Sequence, residues 1–138
     1  MAKKIEVRIT SDPQMLSVLR AAITQVGQLA GFTPMEISKI VLAVDEACSN
    51  IMRHAYKGKK NQPIIVTCKL KPTKLEIIMH DFGNSVDVRK IRSRQLNELR
   101  PGGLGVHIMK SIMDRVIFKN GTDEGNFLIM QKALPKRQ

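Results

Sequence analysis

Two helical runs stand back to back in this chain, after one alternating strand and before two more. That order constrains the fold more than any other feature of the sequence. Lys3 to Thr10 alternates Ile5, Val7 and Ile9 with Lys4, Glu6 and Arg8, the two-residue period of a strand with one buried face. Ser11-Asp12-Pro13 predicts a helix start, since Asp12 can cap and Pro13 suits the first helical position, where a missing N–H costs nothing. Leu16, Leu19, Ile23, Val26 and Ala30 then recur at helical spacing until Gly31. Thr33-Pro34-Met35-Glu36 spells a capping box and opens a second helix, running to about His54 or Tyr56. After the polar stretch Lys57 to Gln62, one strand carries Ile64, Val66, Cys68 and Leu70. Beyond the turn Lys71-Pro72-Thr73-Lys74, another carries Leu75, Ile77 and Met79. Phe82 to Pro101 is polar, basic and weakly patterned, and reads as a loop. Gly102-Gly103-Leu104-Gly105 precedes a third helix built on Val106, Met109, Ile112 and Met113. A last strand pair, Arg115 to Lys119 and Asn126 to Ala133, flanks the turn at 120–125. This β-α-α-β-β-loop-α-β-β order lacks the strand–helix alternation of a parallel sheet. It predicts an α+β fold, with a mixed, mostly antiparallel sheet and helices packed on one face.

The 138 residues are expected to form a single domain, 1–138, large enough to bury a core without disulfides or structural metal. No apolar run approaches the roughly 18 residues of a membrane span, and MAKKIEVRIT lacks a signal-peptide core, so the expectation is a cytoplasmic protein with no membrane partner. Cys48 and Cys68 each sit in an apolar pattern and are expected to be buried, reduced thiols. A net charge of +11 favours anionic partners. With aromatic residues at only 4% and no RNA-stacking motif, direct nucleic-acid binding is not expected.

Three segments carry candidate chemistry. On the second helix, Ile37, Val41, Val44, Cys48, Ile51 and Ala55 form the core stripe. Glu46 lies roughly opposite, and Asn50 and His54 follow at four-residue steps, drifting by about 40° each. A solvated polar face would explain this. Against it, Asn is a poor helix-interior residue, and a carboxylate one turn from a carboxamide suits a proton and a hard cation. His80-Asp81-Phe82-Gly83-Asn84 ends a strand, where Asp81 can present its carboxylate into a cleft and Gly83 lets a ligand approach the backbone; an ordinary strand-ending Asp is the plainer reading. The letters DFG also occur in protein kinases, but no HRD-type loop or upstream glycine loop with its lysine is present here. Finally, Pro101-Gly102-Gly103-Leu104-Gly105 opens a helix whose N–H groups could cradle phosphate, although loop flexibility accounts for glycines equally well.

Together, Glu46-x-x-x-Asn50, Asp81-x-Gly83 and Gly103-x-Gly105 closely resemble the N, G1 and G2 boxes of the GHKL ATPase superfamily. Asp45-Glu46-Ala47 with Asn50, His54 and Tyr56, and GGLGVHIMKSIMDRV from Gly102 to Val116, resemble the bacterial anti-sigma factor serine kinases of the RsbW and SpoIIAB type. The resemblance covers nearly the whole chain. It implies the two-layer α/β sandwich of the Bergerat ATP-binding fold, with ATP and Mg²⁺ as cofactors. By this resemblance Asn50 would hold Mg²⁺, Glu46 would be the general base, and Asp81 would accept a hydrogen bond from the adenine amino group, with Gly83 giving the ring room. Gly103, Leu104 and Gly105 would lie against the phosphates, and Arg100, at the end of a lid from Phe82 to Pro101, would contact them. His54 would serve either a structural hydrogen bond or the ligand. The implied activity is phosphorylation of a serine on a STAS-domain anti-anti-sigma protein, and the implied second role is sequestration of a sigma factor, often as a homodimer.

The chain departs from the family pattern twice. Ser85 stands where the G1 box has its second glycine. The final strand, Asn126-Phe127-Leu128-Ile129-Met130, has no hydroxyl where relatives usually carry a Thr or Ser that supports adenine recognition. The alternative function is a non-catalytic binding module of the same fold, sequestering a partner without phosphorylating it.

Overall fold

A computed structural model describes residues 3–83 and 101–136, with the backbone alone for 101–104. The elements run β1 (Lys3–Thr10), a 3-10 turn (Pro13–Met15), α1 (Leu16–Leu29), α2 (Pro34–Asn50), a π-helical turn (Ile51–Ala55), β2 (Pro63–Leu70), β3 (Lys74–Asp81), α3 (Pro101–Ile112), β4 (Arg115–Thr122) and β5 (Gly125–Ala133). The strands form one sheet in the order β1-β2-β3-β5-β4. Every described pairing is antiparallel, so the expected mixed sheet is antiparallel throughout the described residues. The expectations for the lid, Ser85 and Arg100 fall on 84–100, outside the described residues.

The two-residue period decides which face of the sheet is covered. Ile64, Val66, Leu75, Ile77, Met79 and Met130 are fully buried, and they project with Ile9 and Cys68 toward the helices. Leu19, Ile23 and Val26 of α1, Ile40, Val44 and Cys48 of α2, and Val106 and Met109 of α3 complete that core. Each such aliphatic side chain contributes about 1.5–3 kcal/mol on burial, which is why register cannot slip by one residue without turning the core outward.

The helix starts form as their sequences dictate. The Asp12 carboxylate accepts from Gln14 N–H at 3.0 Å. Thr33 Oγ1 accepts from Glu36 N–H at 3.2 Å, while the Glu36 carboxylate accepts from Thr33 N–H at 3.0 Å, completing the capping box. Those bonds to Thr33 hold the Glu36 carboxyl below its ordinary range. A bidentate pair, Arg20 to Asp45 at 2.7 and 3.2 Å, crosses from α1 to α2.

The end of α2 departs from the expected continuous helix. Tyr56 N–H donates to Ile51 C=O at 2.9 Å, an i→i+5 bond that widens the last turn. Ile51, Met52 and Ala55 are buried, and His54 is half-buried. A turn closed this way holds more residues than an α-turn, which alters the angular drift expected at His54; His54 and Asn50 line the same cavity.

Both thiols are buried and unpaired. Burial pushes Cys48 up to about 12, with the nearby Asp45 charge adding to it, and Cys68 up to about 11. The thiolate is the reactive form, so neither cysteine should label with a thiol reagent near pH 8 until the protein is unfolded in denaturant. Thr33→Ala should lower unfolding free energy by about 1 kcal/mol, read from the urea midpoint, through loss of the N-cap.

Candidate functional site

A partly open cavity lies between α2, α3 and the far end of β3, β4 and β5. Its walls are mostly apolar, formed by Ala47, Ile51, Val106, Met109, Phe118 and Leu128, with Asn50, His54, Asp81, Asn120 and Asn126 placed among them. A few convergent polar groups in an apolar pocket are the usual makeup of a small-molecule site.

Asp81 ends β3 on the core side of the sheet and is only 5% exposed. Its Oδ1 accepts from Gly83 N–H at 2.9 Å and from Asn126 Nδ2 at 3.0 Å. The segment after it is pinned by Tyr56, whose hydroxyl donates to Pro63 C=O at 2.5 Å and accepts from Phe82 N–H at 2.8 Å. Burial, more than any neighbouring group, raises the Tyr56 hydroxyl above its ordinary range. It therefore remains a neutral donor to Pro63 at physiological pH.

Gly83 was singled out as room for a ligand, and its surroundings supply a second reason for glycine. A Cβ there would stand 2.4 Å from Ala55 O and 2.7 Å from Ala55 C. Its lack of a side chain lets the chain leaving β3 lie directly against the π-helical turn. That contact brings Asp81 and the end of α2 to one cavity.

Gly105 does the same for the other side of the site. A Cβ on it would lie 2.7 Å from Glu46 Oε2 and 3.4 Å from Asn50 Nδ2. So α3 crosses α2 at the two residues that sequence spacing singled out, and both are half-buried rather than solvated. The helix also begins earlier than expected. Gly103 and Leu104 lie inside its first turn, which starts at Pro101 instead of after a glycine loop. Gly102, Gly103 and Leu104 thus lie at the N-terminal end of α3, and backbone N–H groups and the positive dipole end at such a terminus suit an anion.

Glu46 and Asn50 look onto different spaces. Asn50 lines that cavity with His54 and Asp81, whereas Glu46 lines a separate, somewhat more open groove with Pro13, Leu16, Ser49, Met52 and Arg53. Asn50 Oδ1 accepts from the Arg53 guanidinium at 3.2 Å, which identifies the oxygen end of that carboxamide. Among the described residues no group of three or more His, Cys, Asp or Glu side chains could hold a metal ion by itself. Asn50 offers one hard oxygen, a donor that would suit Mg²⁺ held mainly by other ligands. Arg100 lies outside the described residues.

Asn126 is the site residue that sequence reasoning missed. A hydroxyl was sought along Asn126–Met130, yet register pairs Asp81 with Asn126, while Leu128 pairs with Met79. The signal was the carboxamide itself, a polar residue at a core-facing position of the last strand.

Residues 9–132 match the histidine kinase-like ATPase domain family. The serine-protein kinase RsbW of Bacillus subtilis is 32% identical over 127 residues, spanning 86% of this chain and 79% of that protein. RsbW of Staphylococcus aureus is 32% identical over 97% of this chain and 89% of its own length. The Listeria innocua protein is 31% identical over 100% and 92%. Among solved structures, a chain of the SiaB–SiaC complex from Pseudomonas aeruginosa superposes with a TM-score of 0.62 at 13% identity, covering 94% of this chain and 89% of that one, a likeness of fold. Sequence and fold together place the chain in the histidine kinase-like ATPase domain family, among the serine-protein kinases of the RsbW type.

Proposed function

We propose that the protein is a Mg-ATP-dependent serine kinase that phosphorylates a STAS-domain anti-anti-sigma protein and, in its other role, sequesters a sigma factor. The observation that carries this reading is the meeting of Gly105 with the Glu46 carboxylate and the Asn50 carboxamide, which brings α3 against a candidate proton acceptor and a candidate metal ligand. The similarity to RsbW kinases supports the reaction class.

In this reading Asp81 accepts from the exocyclic amine of adenine inside the cavity. The first turn of α3 receives the phosphates, and Asn50 Oδ1, which accepts from Arg53, would hold Mg²⁺. When bound, the metal neutralises phosphate charge that builds up during transfer. Glu46 faces the open groove, where a serine of another protein can approach. Its carboxylate takes the hydroxyl proton as Oγ bonds to the γ-phosphorus and the bond to the β–γ bridging oxygen breaks, releasing ADP. A general base in such a step is worth about 10²–10⁴-fold in rate. The net charge of +11 suits docking to acidic partner surfaces.

The test is transfer from γ-labelled ATP to a purified STAS-domain anti-anti-sigma protein. Wild type should label one serine. Glu46→Ala should bind ATP normally and transfer about 10²–10⁴-fold more slowly. Transfer at the wild-type rate would remove Glu46 from the role of base, and no transfer by wild type despite ATP binding would favour the sequestering module. Asn50→Ala should abolish the Mg²⁺-dependent part of ATP affinity, read by calorimetry with and without a chelator. Gly105→Ala should impair transfer as well, since the added methyl would displace the Glu46 carboxylate.

A further inference from the structure

A buried carboxamide must place two donors and an acceptor, and Asn126, 5% exposed on β5, has a matched partner for each. Nδ2 donates to Asp81 Oδ1 at 3.0 Å and to Gly83 C=O at 3.0 Å. Oδ1 accepts from Gly121 N–H at 2.8 Å. The backbone partners settle which end of the amide is nitrogen, because the Gly83 carbonyl cannot donate and the Gly121 N–H cannot accept. With Gly83 N–H also on it, Asp81 Oδ1 takes two hydrogen bonds, while Oδ2 takes none among the described residues. The carboxylate is thereby held in one rotation, with its second oxygen available to the cavity that Asp81 lines.

The turn before β5 is shaped to deliver this contact. Gly125 has φ +108°, and a Cβ on it would stand 2.4 Å from Asp81 O. Only glycine allows both the conformation and the approach, so the chain enters β5 directly against the end of β3. Asn126 follows it and faces Asp81 across the ladder.

We propose that Asn126 is a positioning residue that makes this pocket select 6-amino purine nucleotides over 6-oxo purine nucleotides, by holding Asp81 as a one-sided acceptor. The inference rests on the reading of Asp81 as the base contact. Adenine presents an amine hydrogen to the available oxygen. Hypoxanthine or guanine presents a carbonyl oxygen there, so two acceptors face each other in a buried site and one polar group is left unpaired. A carboxylate free to rotate could turn the mismatched oxygen away; one locked by two donors cannot. A single hydroxyl at this position has one hydrogen, so it could serve Asp81 or Gly83 C=O but not both, and it would be too short to reach Gly121 as well.

The experiment is calorimetric titration of ATP and inosine triphosphate into wild type, Asn126→Leu, Asn126→Thr and Asp81→Asn, with folding of each checked by its thermal transition. Wild type should prefer ATP. Asn126→Leu should lose about 10–100-fold in ATP affinity, the worth of a charge-assisted hydrogen bond, with little change for inosine triphosphate, so that the ratio collapses. Asn126→Thr, which retains one donor, should give an intermediate ratio, and it carries the test alone if the Leu variant does not fold. Asp81→Asn, whose amide can donate, should improve inosine triphosphate relative to ATP. Equal losses for both nucleotides in the Asn126 variants, or no loss, would overturn the assignment while leaving Asp81 as the base contact. A wild type that binds both nucleotides alike would overturn the Asp81 reading and the inference together.

Discussion

The contact between Gly105 and the Glu46–Asn50 pair is the constraint on which the site depends. Helices pack at distances set by the side chains between them, and here one partner has none. With a Cβ 2.7 Å from Glu46 Oε2, α3 would have to retreat or the carboxylate would have to swing away. Either change would separate the helix start from the residues it serves. The same economy of atoms recurs where Gly83 meets Ala55 and where Gly125 meets the end of β3. Three close approaches, two of them against backbone that cannot give way, bring α2, α3 and the β3–β5 ladder to one cavity.

The antiparallel sheet gives that cavity a rigid wall. Because β3 lies between β2 and β5, Asp81 emerges from a strand hydrogen-bonded on both sides. Its position is fixed by backbone ladders, and its rotation by Asn126 and Gly83. On the opposite wall, the widened turn after Asn50 keeps Asn50, Ile51, His54 and Ala55 all at the cavity. Turns of this kind recur at functional sites because they reorient side chains without ending a helix.

Much of this was legible in the sequence, for physical reasons that differ by element. The strands were legible because one buried face imposes a period of two, and β1 was bounded at Lys3 and Thr10 by pattern alone. The start of α2 was legible because a capping box uses side chains within one turn, so Thr33 and Glu36 announce it locally. The π-helical turn was not, since Ile51, Met52 and Ala55 satisfy an α-helical apolar spacing as well. The start of α3 was missed because Gly102 and Gly103 read as breakers, although Pro101 is a favoured first helical residue. The role of Asn126 depends on register between β3 and β5, a relation across 45 residues that no local pattern contains. Residue type found Glu46, Asn50 and Asp81; only the fold shows that Glu46 opens on a groove while Asn50 and Asp81 share a cavity.

The bond from Arg53 to Asn50 ties the cavity wall to the helix surface. The oxygen of a half-buried carboxamide is an acceptor that needs a partner, and the guanidinium one turn away supplies it at 3.2 Å. Arg53 is exposed, so letting go returns it to water at little cost. The bond therefore satisfies the carboxamide from its own helix while leaving that oxygen open to exchange at little cost, so the end of α2 is held by a contact that can be given up without unfolding anything.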